Sequence, residues 1–192
     1  MTAAPLPDWV VPPPQGFTAN DLDRLTDLPP HTELIDGSLV FVSPQTYFHS
    51  VVVDLLVSQL RLAVPADFRV LREMSVILGR RQRLEPDVSV IRATAELTPE
   101  STALRASDVV LAAEVVSADS EERDRERKSE LYARAGTLHF WRVENVGGRP
   151  TVYVYELDPA THAYALTGIH HDQLKVTLPF GADIDLTEID KL

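Results

Sequence analysis

Residues 112–141 read AAEVVSADSEERDRERKSELYARAGTLHFW, and this stretch contains three successive elements. It begins inside the apolar run Val109–Val116, which a single acid, Glu114, interrupts. A nearly continuous apolar run of this length is typical of a strand that is buried on both faces. The charged segment that follows predicts a helix from about Ser120 to Ala135, and His139–Val143 returns to a strand pattern. Strand, helix and strand in this order predict a mixed α/β domain.

The flanking sequence extends this pattern in both directions. Apolar residues recur with helical spacing from Tyr47 to Leu62, which predicts a helix packed on a sheet. The segment Glu33–Val42 carries an Asp-Gly pair between apolar residues, a strong hairpin signal. Further strands are predicted at residues 68–78, 84–91, 151–157, 163–169 and 174–178.

The length and composition predict one domain preceded by an arm. The 192 residues suffice for a single core. The first 16 residues are rich in proline, so we predict a proline-rich arm over residues 1–16 and one domain over residues 17–192. No apolar run approaches the roughly 18–20 residues of a membrane span, so a cytoplasmic protein without membrane partners is expected. The absence of cysteine excludes disulfides, Cys-ligated zinc, iron–sulfur clusters and a thiol nucleophile.

The formal net charge of −11 is unevenly distributed. Residues 69–134 carry 13 acids and 12 bases, whereas both ends of the chain carry a clear excess of acids. Tight, sequence-independent coating of DNA is therefore not expected. Binding of nucleic acid at a site in the nearly neutral middle segment stays open.

Three acids stand where burial is expected: Glu33 at the start of the hairpin, Asp87 after Pro86, and Glu114. A lone carboxylate in an apolar strand is costly unless it is paired, protonated or bound to a metal. Two such acids on adjacent strands suit Mg²⁺ or Mn²⁺, which take a few hard oxygen ligands and leave positions for water and phosphate. The alternative for each acid is a surface position on a half-exposed strand.

A charged trio follows on the predicted helix. Asp124, Lys128 and Tyr132 are spaced four residues apart and therefore line one helix face. Lys128 is the candidate for a cation beside the acids, where it would offset phosphate charge. The alternative is a solvated ion pair between neighbouring turns.

The ordered set of these motifs resembles the Uma-type family of bacterial restriction-type endonucleases. In that family a strand ending in E-V-x-S leads to a helix with D-x-x-x-K-x-x-x-Y, then A-x-x-G and an aromatic-Trp strand. The matching residues here are Glu114, Val115, Ser117, Asp124, Lys128, Tyr132, Ala133, Gly136, Phe140 and Trp141, with ELIDG at 33–37, Ser43-Pro44, His49 and Pro86-Asp87 upstream in the expected order.

The resemblance implies a place in the PD-(D/E)xK nuclease superfamily. The fold expected from it is restriction-endonuclease-like, with a central mixed sheet flanked by helices and extra strands at the C-terminal end. Asp87 and Glu114 match the two metal-binding acids, and the backbone carbonyl of Val115 is a further candidate ligand. Glu33 resembles the additional acid of the N-terminal part. Val116 stands where the superfamily has its lysine, so Lys128 has to supply the amine from the following helix.

Two further predictions concern the surroundings of this site. His49 lies on the apolar stripe of the first predicted helix, and it is either a core histidine or a residue that supports the site. Asp124 and Tyr132 are also predicted to support the site. Arg80, Arg81 and Arg83 form a basic loop that is either solvated or in contact with nucleic acid.

The predicted function is divalent-metal-dependent hydrolysis of phosphodiester bonds, with DNA as the expected substrate and Mg²⁺ or Mn²⁺ as the cofactor. The alternatives are a non-catalytic binding or assembly module that keeps the nuclease fold, as a homodimer in one version, and a metal-dependent hydrolase of a small phosphodiester. No G-x-S-x-G motif, P-loop or dinucleotide-binding loop is present, which disfavours serine hydrolases and nucleotide-binding folds.

Overall fold

The structure of the protein is a computed structural model that describes residue 7, residues 11–117 and residues 123–191. The side chains of residues 123 and 124 lie outside this description. The strands of the described part are β1 Glu33–Ile35, β2 Ser38–Val40, β3 Phe68–Arg72, β4 Ser75–Gly79, β5 Gln82–Leu84, β6 Val88–Arg92, β7 Ala103–Arg105, β8 Val109–Val115, β9 His139–Val146, β10 Arg149–Asp158, β11 Ala163–His170, β12 Gln173–Val176 and β13 Ala182–Asp185. The helices are α1 Tyr47–Ala63 and α2 Lys128–Arg134, and short 3₁₀ segments lie at Ala19–Asp21, Ala106–Asp108 and Leu186–Lys191.

A six-stranded mixed sheet forms the centre of the fold, with the strand order β11-β10-β9-β8-β6-β3. The pair β8–β9 is parallel and the other neighbours are antiparallel. Every residue of β8 is buried, because other layers cover this strand on both faces. The prediction of a central mixed sheet is confirmed.

Helix α1 covers one face of this sheet. One apolar stripe of this helix, which includes Val53, Leu56 and Leu60, is fully buried against alternate residues of β8 such as Leu111 and Ala113. Burying each such side chain contributes roughly 1.5–3 kcal/mol, so this stripe holds the helix in place. The hairpin β12–β13 and the last 3₁₀ turn complete the same layer.

A second, five-stranded sheet and α2 cover the opposite face. The strand order of this sheet is β2-β1-β5-β4-β7. Because side chains alternate along a strand, Ala112 and Glu114 of β8 point to this face. Ala112 packs there with Tyr132 of α2 and with Val76 of β4. Glu114 therefore lies on the sheet face that carries α2.

The hairpin β1–β2 is confirmed. Its strands pair in register around Asp36 and Gly37, which both have left-handed backbone conformations, with φ of 53° and 81°. Two successive left-handed residues are typical of the tight hairpin turn predicted from the Asp-Gly pair.

Two strand predictions are wrong in an informative way. The segments 68–78 and 84–91 each contain two strands that belong to different sheets. The chain leaves the six-stranded sheet at Glu73, whose φ is 47°, and returns to it after Pro86. Left-handed backbone and proline both interrupt a strand, and here they mark the crossings between sheets.

The predicted helix after β8 is confirmed in its second half. A five-residue π-helical turn, Arg123–Arg127, leads into α2, and Gly136 follows with a φ of 82°. Residues 118–122, where the prediction starts this helix, lie outside the described residues. Most of the first ten residues also lie outside the described residues. The division into an arm and a domain therefore stays a prediction. No helix among the described residues is long and apolar enough to cross a membrane.

Candidate active site

A cleft of about 520 Å³, counting the solvent at its mouth, opens where the chain crosses between the two sheets. Acidic side chains dominate its lining: Glu33, Glu73, Glu85, Asp87 and Glu114, with Lys128, His31 and His49 beside them. The three acids and the lysine predicted from the sequence are therefore brought together in one place.

Strand pairing places Asp87 beside Glu114. Strands β6 and β8 are antiparallel neighbours, with Val88 opposite Ala113. Asp87 immediately precedes Val88, and Glu114 immediately follows Ala113. Extending the same antiparallel register by one residue therefore brings Asp87 opposite Glu114. This is the arrangement of acids on adjacent strands that the sequence predicts.

Lys128 reaches the acids from the first residue of α2. Its Nζ lies 3.0 Å from Oε2 of Glu114 and 3.0 Å from Oε1 of Glu33. All three side chains are buried, with at most 7% of any of them exposed. An amine from the helix is thus present although Val116 occupies the position two residues after Glu114, as the sequence prediction requires.

Tyr132 holds the other oxygen of Glu114. Its hydroxyl donates to Oε1 at 2.9 Å from one turn beyond Lys128 on α2. Burial, followed by the charges of Glu114 and Glu33, raises the pKa of Tyr132 well above its usual value, so the hydroxyl stays a neutral donor. Tyr132 is therefore bonded to one of the predicted site acids, and its supporting role stays a prediction. The side chain of Asp124, its predicted companion, lies outside the described residues.

Asp87 is fixed by two donors. The backbone N–H of Val115 donates to Oδ2 at 2.6 Å, and Nε2 of His49 lies 2.9 Å from Oδ1. His49 is buried in the first turn of α1, where Thr46 caps the helix. His49 is thus a buried histidine that contacts Asp87, and its role in supporting the site stays a prediction. The contact of Val115 with Asp87 runs through its N–H, and the role of its carbonyl as a ligand stays a prediction.

Glu33 has one oxygen without a hydrogen-bond partner. Oε1 accepts from the backbone N–H of Glu85 at 2.9 Å and faces Lys128. Oε2 is buried and has no partner among the described residues. Leaving a buried acceptor unsatisfied costs roughly 1–3 kcal/mol, so this oxygen is suited to a water or a cation in the cleft.

The carboxylates of the cleft suit Mg²⁺ or Mn²⁺, but they provide few ligands, so water and substrate phosphate would have to complete the coordination. In the described part of the chain, no three side chains of His, Cys, Asp and Glu are grouped as around one metal ion. Mg²⁺, however, is commonly bound by one or two carboxylates and completed by water and substrate phosphate. Asp87 and Glu114 offer this pair of hard oxygen ligands, and the unsatisfied Oε2 of Glu33 adds a third acceptor nearby.

A pair of residues that the sequence did not predict, His31 and Glu85, lies at the mouth of the cleft. His31 Nδ1 lies 2.5 Å from Oε1 of Glu85. The hydrogen bond to Glu85 raises the pKa of His31, and burial raises the pKa of Glu85 against the opposing effect of His31. Their positions next to Glu33 and Pro86-Asp87 were the signal in the sequence that could have identified them.

This pair predicts a pH-dependent stability. The pKa of His31 is raised above its usual 6.5 in the folded protein, so its pairing stabilises fully below pH 6.5 and is lost as the pH rises through the folded value. In His31→Asn, which tolerates the left-handed backbone at this position, we expect a lower melting temperature near pH 6 and a smaller deficit at alkaline pH. Melting curves at several pH values measure the difference.

His162 provides the matched control, because it is exposed and has a φ of 53°, close to the 57° of His31. His162→Asn measures the effect of replacing an exposed histidine by asparagine on this backbone conformation, and its melting temperature is compared with that of His31→Asn at each pH. A deficit of His31→Asn that does not vary between acidic and alkaline pH contradicts the assigned pairing.

The basic loop does not act as one unit. Arg83 is 5% exposed, and its guanidinium donates to Asp23 at 2.9 Å and to the carbonyl of Thr102 at 3.1 Å. The prediction of a nucleic-acid contact is therefore wrong for Arg83, because the guanidinium is buried and already bonded within the fold. Arg81 is exposed and donates to the carbonyl of Asp36, and Arg80 is exposed in the turn between β4 and β5. For these two the contact stays a prediction.

Comparison with known proteins agrees with the fold and the motifs. A family model described as "Uma2: Putative restriction endonuclease" matches residues 19–187. A search of curated proteins gives no match. A solved structure described as "a putative nuclease belonging to DUF820", from Anabaena variabilis ATCC 29413, is similar to this chain with a TM-score of 0.70 and 17% sequence identity. The similarity covers 91% of this chain and 98% of the other, which confirms the restriction-endonuclease-like fold.

Proposed function

This chain belongs to the Uma2 family, and we propose that it hydrolyses phosphodiester bonds of DNA with the help of Mg²⁺ or Mn²⁺. Family and fold indicate a restriction-endonuclease-like nuclease; the metal, the substrate and the residue roles are the proposal. The observation that carries it is the position of Lys128, whose Nζ lies 3.0 Å from two buried carboxylates in the cleft that also holds Asp87.

Each residue has a distinct part in the proposed reaction. Asp87 and Glu114 would hold the metal ion, with the carbonyl of Val115 as a further ligand. A divalent ion in such a site lowers the pKa of bound water and offsets charge on the phosphate. Lys128 would steady the phosphate or orient the attacking water, because an ammonium is a compact cation with three donors.

The remaining residues would keep these groups in place. Tyr132 donates to Glu114, and the imidazole of His49 contacts Asp87, so each acid keeps one orientation. Glu33 would accept a hydrogen bond from the attacking water through Oε2, the oxygen without a partner among the described residues. Carboxylates that are already held in one orientation do not have to rearrange when charge develops in the transition state.

Cleavage of plasmid DNA tests the proposal. The purified protein is expected to nick or linearise plasmid in Mn²⁺ or Mg²⁺ and to leave it intact in a chelator. Asp87→Ala, purified in parallel, is the control for contaminating nucleases. Equal cleavage by the wild type and this variant means that the activity belongs to a contaminant, and the proposal then fails.

One observation favours the non-catalytic alternative. Both oxygens of Asp87 and both oxygens of Glu114 already contact groups of the protein. Such a saturated cluster also suits a module that keeps the nuclease fold for binding or assembly. The two proposals differ in whether a metal ion displaces some of these contacts.

Calorimetric titration with Mn²⁺ separates the two functions. The nuclease proposal predicts binding that Asp87→Ala weakens by at least about tenfold, a loss of roughly 1.4 kcal/mol. An absence of binding, or equal binding by the variant, favours the non-catalytic module. Binding without cleavage of any nucleic acid points to a small phosphodiester as substrate.

A further inference from the structure

We propose that the ion pairs Arg125–Glu144 and Arg127–Asp36 fix the position of Lys128 in the cleft, so that Glu144 and Asp36 are positioning residues of the proposed reaction. This inference rests on the proposed function, because it concerns the amine that the reaction would use. It follows from the places of the two arginines in the sequence, from the elements that carry their partners, and from the short length of α2.

The helix that carries Lys128 is short and depends on contacts outside itself. It has seven residues and begins with Lys128. Helices shorter than about 12–15 residues are marginal in water, so packing against the rest of the fold keeps them in place. Leu131 and Tyr132 anchor the second half of α2 by burial in the core. The π-helical turn Arg123–Arg127 leads into its first residue, so contacts of this turn decide where Lys128 starts.

Arg125 connects this turn to the central sheet. Its Nε donates to Oε1 of Glu144 at 3.0 Å, and its Nη2 donates to Oε2 at 2.8 Å. Two parallel hydrogen bonds between a guanidinium and a carboxylate fix direction as well as distance. Glu144 is 11% exposed, lies 2.8 Å from Nε of Arg142, and belongs to β9, the parallel neighbour of β8. Arg125 therefore ties the turn to the part of the sheet that carries Glu114.

Arg127 connects the same turn to the second sheet. Its guanidinium donates to both carboxylate oxygens of Asp36, at 2.6–3.0 Å. The hydrogen bonds from Arg127 lower the pKa of Asp36, so its carboxylate is charged at neutral pH. Asp36 lies in the hairpin turn directly after β1, the strand that begins with Glu33. Arg127 therefore ties the turn to the hairpin that carries Glu33.

The two ion pairs match the two carboxylates that Lys128 contacts. Its Nζ lies 3.0 Å from Oε2 of Glu114 and 3.0 Å from Oε1 of Glu33. The lysine stem is flexible, so the ammonium stays between the two acids when its backbone is fixed relative to both sheets. Loss of either ion pair lets the first residue of α2 shift. A misplacement of about 1 Å can lower a reaction rate about 100-fold.

NMR observes Lys128 directly, because the chain contains three lysines, Lys128, Lys175 and Lys191. In protein labelled with ¹³C at the lysine ε-carbons, Lys175→Met and Lys191→Met assign the two exposed lysines, and the third signal belongs to Lys128. Glu144→Gln and Asp36→Asn are each expected to shift the Lys128 signal and to leave the other two in place. Asp36 is 55% exposed, and asparagine tolerates its left-handed backbone, so Asp36→Asn is expected to stay folded even if Glu144→Gln does not.

Cleavage of plasmid DNA measures the consequence for the reaction. Glu144→Gln and Asp36→Asn are each expected to lower kcat by about 10- to 100-fold with little change in KM. The reason is that the residues in the cleft stay present, whereas the amine of Lys128 is displaced. An interaction needed in the transition state affects kcat, and one that only binds substrate affects KM.

Glu130→Gln is the matched control. Glu130 also pairs with Arg127, but it belongs to α2 itself and does not tie the helix to either sheet. Its replacement should leave the Lys128 signal and kcat unchanged. The inference is overturned if folded Glu144→Gln and Asp36→Asn leave the Lys128 signal in place, or if Glu130→Gln moves it as far.

The two measurements separate this inference from the proposed function. If the Lys128 signal moves as expected but the wild type cuts no DNA, the anchoring of Lys128 stands and the nuclease proposal fails. If the wild type cuts DNA and both variants cut it at the same rate, the nuclease proposal stands and the positioning roles of Glu144 and Asp36 are wrong.

Discussion

Replacing Lys128 with methionine is expected to destabilise the folded protein by about 3–5 kcal/mol. The ammonium lies 3.0 Å from both Glu33 and Glu114, and each carboxylate is almost completely buried. Methionine keeps the volume of the side chain but removes its charge, so two buried carboxylates lose their cation. Removing one partner of a buried ion pair is costly because the remaining charge stays desolvated. Urea unfolding measures the loss as a lower midpoint at an unchanged slope.

The chain contains a matched lysine for this comparison. Lys175 is 75% exposed and lies 3.3 Å from Asp183, so Lys175→Met removes an exposed ion pair that is worth at most about 1 kcal/mol. Adding Glu33→Gln to Lys128→Met removes one of the two uncompensated charges and should recover part of the stability. If Lys128→Met and Lys175→Met unfold at the same urea concentration, Lys128 does not compensate the buried acids.

Replacing Glu114 with alanine is expected to lower the rate of DNA cleavage by roughly 10³-fold or more. A bound divalent ion contributes several kcal/mol of transition-state stabilisation, and each 1.36 kcal/mol corresponds to a tenfold change in rate. Loss of Glu114 removes a proposed metal ligand and the contacts that orient Lys128 and Tyr132. Single-turnover cleavage in Mn²⁺ isolates the chemical step from product release.

Two variants separate this effect from a general loss of folding. Glu114→Gln keeps the shape of the side chain and an acceptor for Tyr132 but removes the charge, and it should lose most of the activity with less damage to stability. Glu130→Ala removes an exposed glutamate of α2 that pairs with Arg127 and Arg134, and it should cut DNA at the wild-type rate. Wild-type cleavage by a folded Glu114→Gln contradicts the proposed role of Glu114.

The elements predicted well from the sequence are those that local patterns specify. The Asp-Gly turn requires two left-handed residues and produces the hairpin β1–β2. The helical spacing of apolar residues produces α1, and the apolar run around Glu114 produces β8. The pair Asp87 and Glu114 follows from these patterns once β6 and β8 are neighbours. Family membership rests on the same residues, and the match over residues 19–187 confirms it.

Predictions failed where a neighbour in space outweighed the local pattern. The apolar segments 68–78 and 84–91 look continuous in sequence, yet each one divides between two sheets. The short strands β7 and β13 were missed because they have little pattern of their own and depend on a partner strand. Arg83 looks like part of an exposed basic loop, but Asp23 and the carbonyl of Thr102 satisfy its guanidinium inside the fold.

By itself, the sequence determined which residues have unusual chemistry for their positions: acids within apolar strands, a lysine on a helix after β8, and a net charge of −11 concentrated toward the ends. Only the tertiary structure decided how these residues meet. Glu33 and Lys128 are far apart in the chain and become neighbours because α2 and β1 lie on the same face of the central sheet. The physical reason is that the spacing of apolar residues specifies which face of a helix or strand a side chain occupies. Which residue then contacts that side chain depends on where the chain crosses from one sheet to the other.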